Sequence, residues 1–230
     1  MDPQTLPAEE LALYTSLKQR YKIAFEPLKV GTTRLDLLRI TDLERLLDGK
    51  DPLKDVSAFP FWTKLWEASI VLANLLVSRP VQEKKTLLEL GAGLGVPGLA
   101  AARAGFQVTL TDYDQLILDF ARVSGAASGV ENVEYRMLDW LDPPDLPRYD
   151  VVVGAEVLFR EEFFAPLLGV LRKTLKPEGV VYFAHDSTRQ SLRPFLEMAE
   201  AEYVIAASTR KLKNLDQEKQ IVLTRLTPRN

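Results

Sequence analysis

"LLELGAGLGVPG", residues 87–98, is the stretch that decides how this chain folds. An apolar run closes on Glu89 and Leu90, and glycines follow at 91, 93, 95 and 98. Glycine at that density costs chain entropy on folding and adds no packing, so a bare turn accounts for it poorly. A strand leading through a glycine loop into an alanine-rich helix is the usual cradle of a nucleotide-like cofactor.

Two cofactor classes compete for the loop. Gly93-Leu-Gly95-Val-Pro-Gly98 matches the dinucleotide pattern G-x-G-x-x-G. The first glycine of that fingerprint follows the strand directly. Here that residue is Gly91, and the pattern counted from it fails at Val96. Glu89-x-Gly91-x-Gly93-x-Gly95 fits better. A carboxylate two positions before the first glycine repels a diphosphate and suits a cofactor carrying an ammonium and a sulfonium. Asp112, 21 positions after Gly91, ends the next strand and can accept both ribose hydroxyls in either case.

Around the loop, strands and helices alternate. Strands are predicted at Thr86–Leu90, Gln107–Thr111, Val133–Leu138, Asp150–Ala155 and Val180–His185. Helices are predicted at Pro97–Ala104, Asp114–Ala127, Glu161–Leu175 and Gln190–Ala201. The expected fold class is therefore α/β, a doubly wound, mostly parallel sheet covered on both faces. Tyr203–Thr209 and Gln220–Leu226 flank "RKLKNLDQEK" and read as a closing hairpin, so one strand runs antiparallel. Arg210, Lys211 and Lys213 read as its solvated tip.

Upstream, Pro7–Tyr21 reads as a helix, and Tyr21–Val30 and Thr33–Ile40 as two strands. "TDLE" at 41–44 reads as a capping box opening a short helix that Gly49 ends. Asp51–Phe59 reads as a linker. Phe61–Val77 reads as one amphipathic helix with Trp62, Trp66, Ile70 and Ala73 on a face. The expected division is an extension over 1–58 and a cofactor-binding domain over 59–230.

Composition narrows the function. The 230 residues are 47% hydrophobic, enough for a sizeable core. With no cysteine there is neither disulfide nor thiolate chemistry, and one histidine argues against zinc. A net charge of −3 supplies no basic field for nucleic acid. No apolar run is long enough to span a bilayer, and the acidic, proline-bearing start is unlike a secretory signal. The expectation is a cytoplasmic protein with no membrane or nucleic-acid partner.

The residues 59–230, above all "LLELGAGLG", "TLTDYD" and the closing hairpin, resemble the seven-strand S-adenosylmethionine-dependent methyltransferases. "PFWTKLWEASIVLANLL" from Pro60, "MLDW" at 137–140 and "AEVLF" at 155–159 resemble a narrower group, small protein-lysine methyltransferases. That group includes enzymes acting on molecular chaperones, on the valosin-containing ATPase and on the β subunit of electron-transfer flavoprotein.

The resemblance implies a seven-stranded sheet with its last strand inserted antiparallel, S-adenosylmethionine as cofactor, and a protein substrate presenting a lysine. It implies a cofactor site of Trp66, Glu89, Gly91, Gly93, Asp112, Asp139, Trp140 and Ala155. Glu89 would face the methionine ammonium, Asp112 the ribose diol, Asp139 the adenine amino group and Trp140 the adenine ring. Glu156 and Phe159 would serve catalysis, Glu156 by capturing and aiming the amine while water carries its proton away. The group often has Asp-x-x-Tyr where this chain has Glu156-Val-Leu-Phe159, so the phenol hydroxyl is missing.

Other readings stand beside these. Trp66 on an apolar face is also a plain core residue, and Glu156 also a partner for Arg160. Asp186 or Ser187 reads as the cap of the next helix. His185 reads as a bystander, or alternatively as a proton acceptor. "DPPD" at 142–145 reads as a loop. The alternatives in function are a small-molecule methyltransferase and a non-catalytic cofactor-binding scaffold; a nicotinamide oxidoreductase fits the loop register poorly.

Overall fold

Seven strands form one sheet in the computed structural model, which describes residues 1–47, 49, 54, 59–78, 81, 84–213 and 218–229. They are β3 (Thr86–Glu89), β4 (Gln107–Asp112), β5 (Val133–Met137), β6 (Tyr149–Ala155), β7 (Leu175–Asp186), β8 (Tyr203–Lys213) and β9 (Glu218–Pro228). Their spatial order is β5-β4-β3-β6-β7-β9-β8. All pairings from β5 to β7 are parallel, and β9 runs antiparallel between β7 and β8. This is the expected seven-stranded Rossmann-like sheet.

The buried strands read as apolar runs because both faces are covered. Leu87, Val151 and Val153 face one core, with Leu72 and Ala73 of α3 (Glu67–Val77) and Leu99–Ala102 of α4 (Val96–Arg103). Leu88 and Val152 face the other, with Leu167 and Leu171 of α6 (Phe164–Thr174) and Phe195 of α7 (Leu192–Ala199). Neighbours along one strand thus enter opposite cores, as the pleat dictates.

The first forty residues add α1 (Ala8–Arg20) and a hairpin of β1 (Ile23–Val30) and β2 (Thr33–Ile40). They pack Leu17 and Leu38 against Phe120 and Val123 of α5 (Gln115–Ala127). Ser124 Oγ accepts the buried Leu38 N–H at 2.8 Å, and Arg122 pairs with Glu9 and Glu10.

Four expectations need correction. The helix expected over Phe61–Val77 is broken: Phe61–Thr63 is a 3-10 turn, Trp66 is extended (φ −82°, ψ 136°), and α3 begins at Glu67. Tertiary contacts decide this. The Trp62 ring turns to Phe120 at 5.1 Å, while Trp66 donates its indole N–H to Phe61 O at 3.1 Å. "TDLE" is not a capping box. Thr41 Oγ1 bonds back to Lys22 O at 3.1 Å, and Asp42 accepts the Glu44 N–H ahead of α2 (Glu44–Leu47).

The closing hairpin is longer than expected, paired from Tyr203↔Pro228 to Lys213↔Glu218. Arg210 and Lys211 are therefore strand residues; 214–217 lie outside the described residues, as does most of the expected linker at 51–59. Finally, Asp186 caps a turn and not a helix, accepting the Thr188 N–H at 2.9 Å six residues before α7 begins.

Candidate functional site

The carboxyl ends of β3, β4 and β6 meet at the glycine loop. Leu90 N–H donates to Val153 O and Ala92 N–H to Thr111 O, both at 2.9 Å, so the loop is tied to both neighbouring strands. Gly91, Gly93 and Gly95 have φ of 60°, 53° and 72°. This left-handed backbone is why glycine stands at all three.

Glu89 is buried beneath the loop. Its Oε2 accepts the Gly98 N–H at 2.8 Å, and burial pushes its carboxyl well above the ordinary range. The contact requires glycine at 98, because a Cβ there would collide with that oxygen and lie 2.7 Å from Leu110 Cδ2. Asp112 stands at the end of β4 and accepts the Gly93 N–H at 2.9 Å and the Tyr113 N–H at 2.8 Å, one on each oxygen. Burial raises its pKa to about 6, against those two bonds. Each oxygen keeps a lone pair free of the hydrogen bonds described.

Trp140 lies over Gly91, its ring carbons 3.7 and 4.0 Å from where a Cβ would sit. Its ring meets Phe163 edge-on at 6.0 Å. Asp139 is exposed and accepts the Leu141 N–H at 2.9 Å. Ala155, half-buried, ends β6 beside Ala184. Together Asp112, an indole face and positive-φ glycine backbone fit the diol, ring and methionine side of S-adenosylmethionine, whereas Glu89, expected to face the methionine ammonium, is buried and turned to Gly98.

A cleft of about 560 Å³ opens on the same rim, walled by Trp66 and Phe159 and floored by Asp186, Thr188 and Arg189. Phe159 is 50% exposed and leans on Phe163. Lys64 Nζ sits 3.9 Å above the Trp66 ring, a cation–π contact.

Glu156 lies next to this cleft in a left-handed conformation (φ 57°) rare for a side-chain-bearing residue. Its Oε1 accepts the Asp186 N–H at 2.7 Å; its Oε2 takes Arg189 Nε at 3.0 Å and Arg189 Nη2. The carboxylate is thus already paired. Sequence reading missed Arg189, since its partner lies 33 positions away and no local pattern marks the pair. It also weighed Arg160 as the partner of Glu156, whereas Arg160 pairs with Glu162.

His185 is fully buried. Its Nε2 accepts the Leu158 N–H at 3.2 Å, and desolvation lowers its pKa to about 3. It is a neutral packing residue, which corrects the alternative that made it a proton acceptor.

A protein-family model described as "Lysine methyltransferase" matches residues 57–202. The protein N-lysine methyltransferase METTL21A of Xenopus tropicalis is 31% identical over 148 residues, 62% of this chain and 68% of that protein. The histone-arginine methyltransferase METTL23 of Rattus norvegicus is 32% identical over 126 residues, 52% of this chain and 56% of that protein. Among solved structures, a SAM-dependent methyltransferase from Agrobacterium tumefaciens superposes with a TM-score of 0.63 at 19% identity, covering 89% of this chain and 70% of that one. At that identity the likeness is one of fold.

Proposed function

The chain belongs to the lysine methyltransferase family, and from that premise we propose that it methylates a lysine side chain of a protein substrate, with S-adenosylmethionine as cofactor. Bound there, the cofactor supplies an electrophilic methyl group on a sulfonium, whose loss leaves a neutral thioether. In this proposal Gly91 and Gly93 offer backbone beneath the methionine and ribose, and Asp112 accepts from the diol. Glu89 acts from below by fixing the start of α4, since its carboxylate is turned to Gly98. Trp140 flanks the adenine and Asp139 its amino group, while Ala155 lines the methionine side and Trp66 the boundary with the acceptor.

One observation carries the acceptor half: an aromatic-walled cleft with acids at its edge opens on the rim that bears the glycine loop. Trp66 and Phe159 can desolvate an alkyl amine, and a sulfonium favours aromatic surroundings. The chain chiefly has to align nucleophile and methyl, which is where most rate enhancement in such a displacement can arise. A reducing, cytoplasmic setting belongs to the proposal, consistent with a chain of 0 cysteines. No helix among the described residues is long and apolar enough to cross a membrane.

Arginine is the second acceptor to consider, favoured by the likeness to the histone-arginine enzyme. Labelled S-adenosylmethionine incubated with the protein and a source-cell lysate separates the readings. Label on protein, mapped to lysine by mass spectrometry, is expected. Label confined to arginine would promote the second acceptor, and label confined to metabolites would overturn protein methylation.

A further inference from the structure

The carboxylate best placed to meet an acceptor amine is not free. Glu156 is the most buried acid at the cleft, with 6% of its side chain exposed, against 29% for Arg189. Arg189 covers one of its oxygens with two N–H groups, and the Asp186 amide covers the other. Separating such a pair leaves a largely buried charge uncompensated. An ammonium offers a point charge and no planar fork in exchange. An incoming lysine therefore does not take the place of Arg189.

The pairing has a chemical consequence. A lysine amine attacks only as the free base, and its ordinary pKa is about 10.4. A bare Glu156 would hold it as the ammonium and push that pKa up, whereas a neighbouring cation pushes it down. Arginine suits this task because it keeps its charge throughout the accessible pH range.

Charges of both signs surround the pair, Lys64 over the Trp66 ring among them. Asp186 on β7 is half-buried, bonded to Thr188 and close to Lys219 of β9, and Lys219 is paired with Glu67 of α3. Glu161, before α6, is exposed, so water and salt screen it. His185 beneath is neutral. Glu156 is the least exposed of these acids, and Arg189 is its charge partner.

We propose that Arg189 is a positioning residue of the acceptor site: by holding Glu156 neutralised beside the Trp66–Phe159 cleft, it makes the site accept the deprotonated amine. The inference rests on the methyl-transfer reading above. Glu156 then acts through Arg189, anchoring the guanidinium and the loop after β7.

The test uses two nitrogen-for-sulfur analogues of S-adenosylmethionine, one with a 2-aminoethyl arm in place of the methyl, which sets its amine near the attacking position, and one with a plain ethyl arm. Calorimetry at pH 8 in buffers of different ionisation enthalpy reads the protons released on binding. In the wild-type protein the amino arm should release about one proton more than the ethyl arm, because it is protonated in solution and enters uncharged. Arg189→Gln should abolish the extra release, and Arg189→Lys should restore most of it. The double variant Glu156→Gln/Arg189→Gln, which removes both charges together, should release more than Arg189→Gln alone and guards against a variant that fails to fold.

No extra release in the wild type, or equal release from wild type and Arg189→Gln, overturns the inference. S-adenosylhomocysteine, titrated in parallel, tests the underlying reading separately. If it fails to bind the wild type, the cofactor assignment fails and takes the inference with it.

Discussion

The Oδ2 oxygen of Asp112 accepts the Gly93 N–H at 2.9 Å, joining the end of β4 to the middle of the glycine loop. The group expected to hold the ribose also braces the backbone expected to pass beneath it. Cofactor affinity and loop geometry therefore share one side chain.

Asp112→Ala should weaken S-adenosylhomocysteine binding by about 1.5–3 kcal/mol, the range for hydrogen bonds to a charged group. That corresponds to roughly a tenfold to hundredfold rise in Kd. Calorimetry checks it alongside circular dichroism to verify the fold. Unchanged affinity with an intact fold would remove Asp112 from the site.

The raised pKa of Asp112, about 6 against an ordinary 3.8, predicts a pH dependence with a definite sign. Between those values the folded protein binds more protons than the unfolded chain, so this group lowers stability as pH rises. The full effect is about 3 kcal/mol, complete above pH 6. His185 contributes the opposite slope: its pKa falls from 6.5 to about 3 on folding, so its stabilisation is lost as pH drops through that window. Comparing wild type with Asp112→Asn isolates the first effect. The stability of Asp112→Asn relative to wild type should rise from pH 4 to pH 6 and then level off. In the wild type, cofactor affinity should fall below pH 6 as the carboxylate protonates.

Two glycines should respond in opposite ways to alanine. At Gly98 a Cβ meets Leu110 Cδ2 at 2.7 Å and the Glu89 carboxylate. Gly98→Ala should cost about 1–3 kcal/mol, as overpacking does. Gly169, inside α6, meets only Arg172 Nη2 at 3.7 Å and has no positive φ. Gly169→Ala should be neutral or stabilising by about 0.4–1 kcal/mol. Urea midpoints of the two variants give the comparison; equal shifts would refute the packing account.

The N-terminal segment should depend on a hydroxyl more than on its ion pairs. Ser124→Ala leaves the buried Leu38 N–H without a partner, which costs about 1–3 kcal/mol. Arg122→Ala removes contacts to Glu9 and Glu10 from a side chain that is 40% exposed, and such pairs are worth about 0–1 kcal/mol. Thermal melts should rank Ser124→Ala well below Arg122→Ala, and the reverse order would make the surface charges the tether.

By itself the sequence determined what short-range periodicity and backbone sterics encode. The alternation of strands and helices, the glycine loop after Glu89, the acid at Asp112 and the closing hairpin all declare themselves within a few residues of chain. That β9 slots between β7 and β8 was implied by the family resemblance and not by any local signal, because a hairpin's own residues are silent about which strand it joins. Only the tertiary structure broke the helix ahead of Glu67, where the pull of Phe120 on Trp62 outweighs an apolar spacing that reads as helical. And only it tied Glu156 to Arg189, 33 positions apart in the chain, since the pairing depends on two rim loops brought together by parallel strands. Such a contact is fixed by sheet register, and register follows from the packing of the whole core.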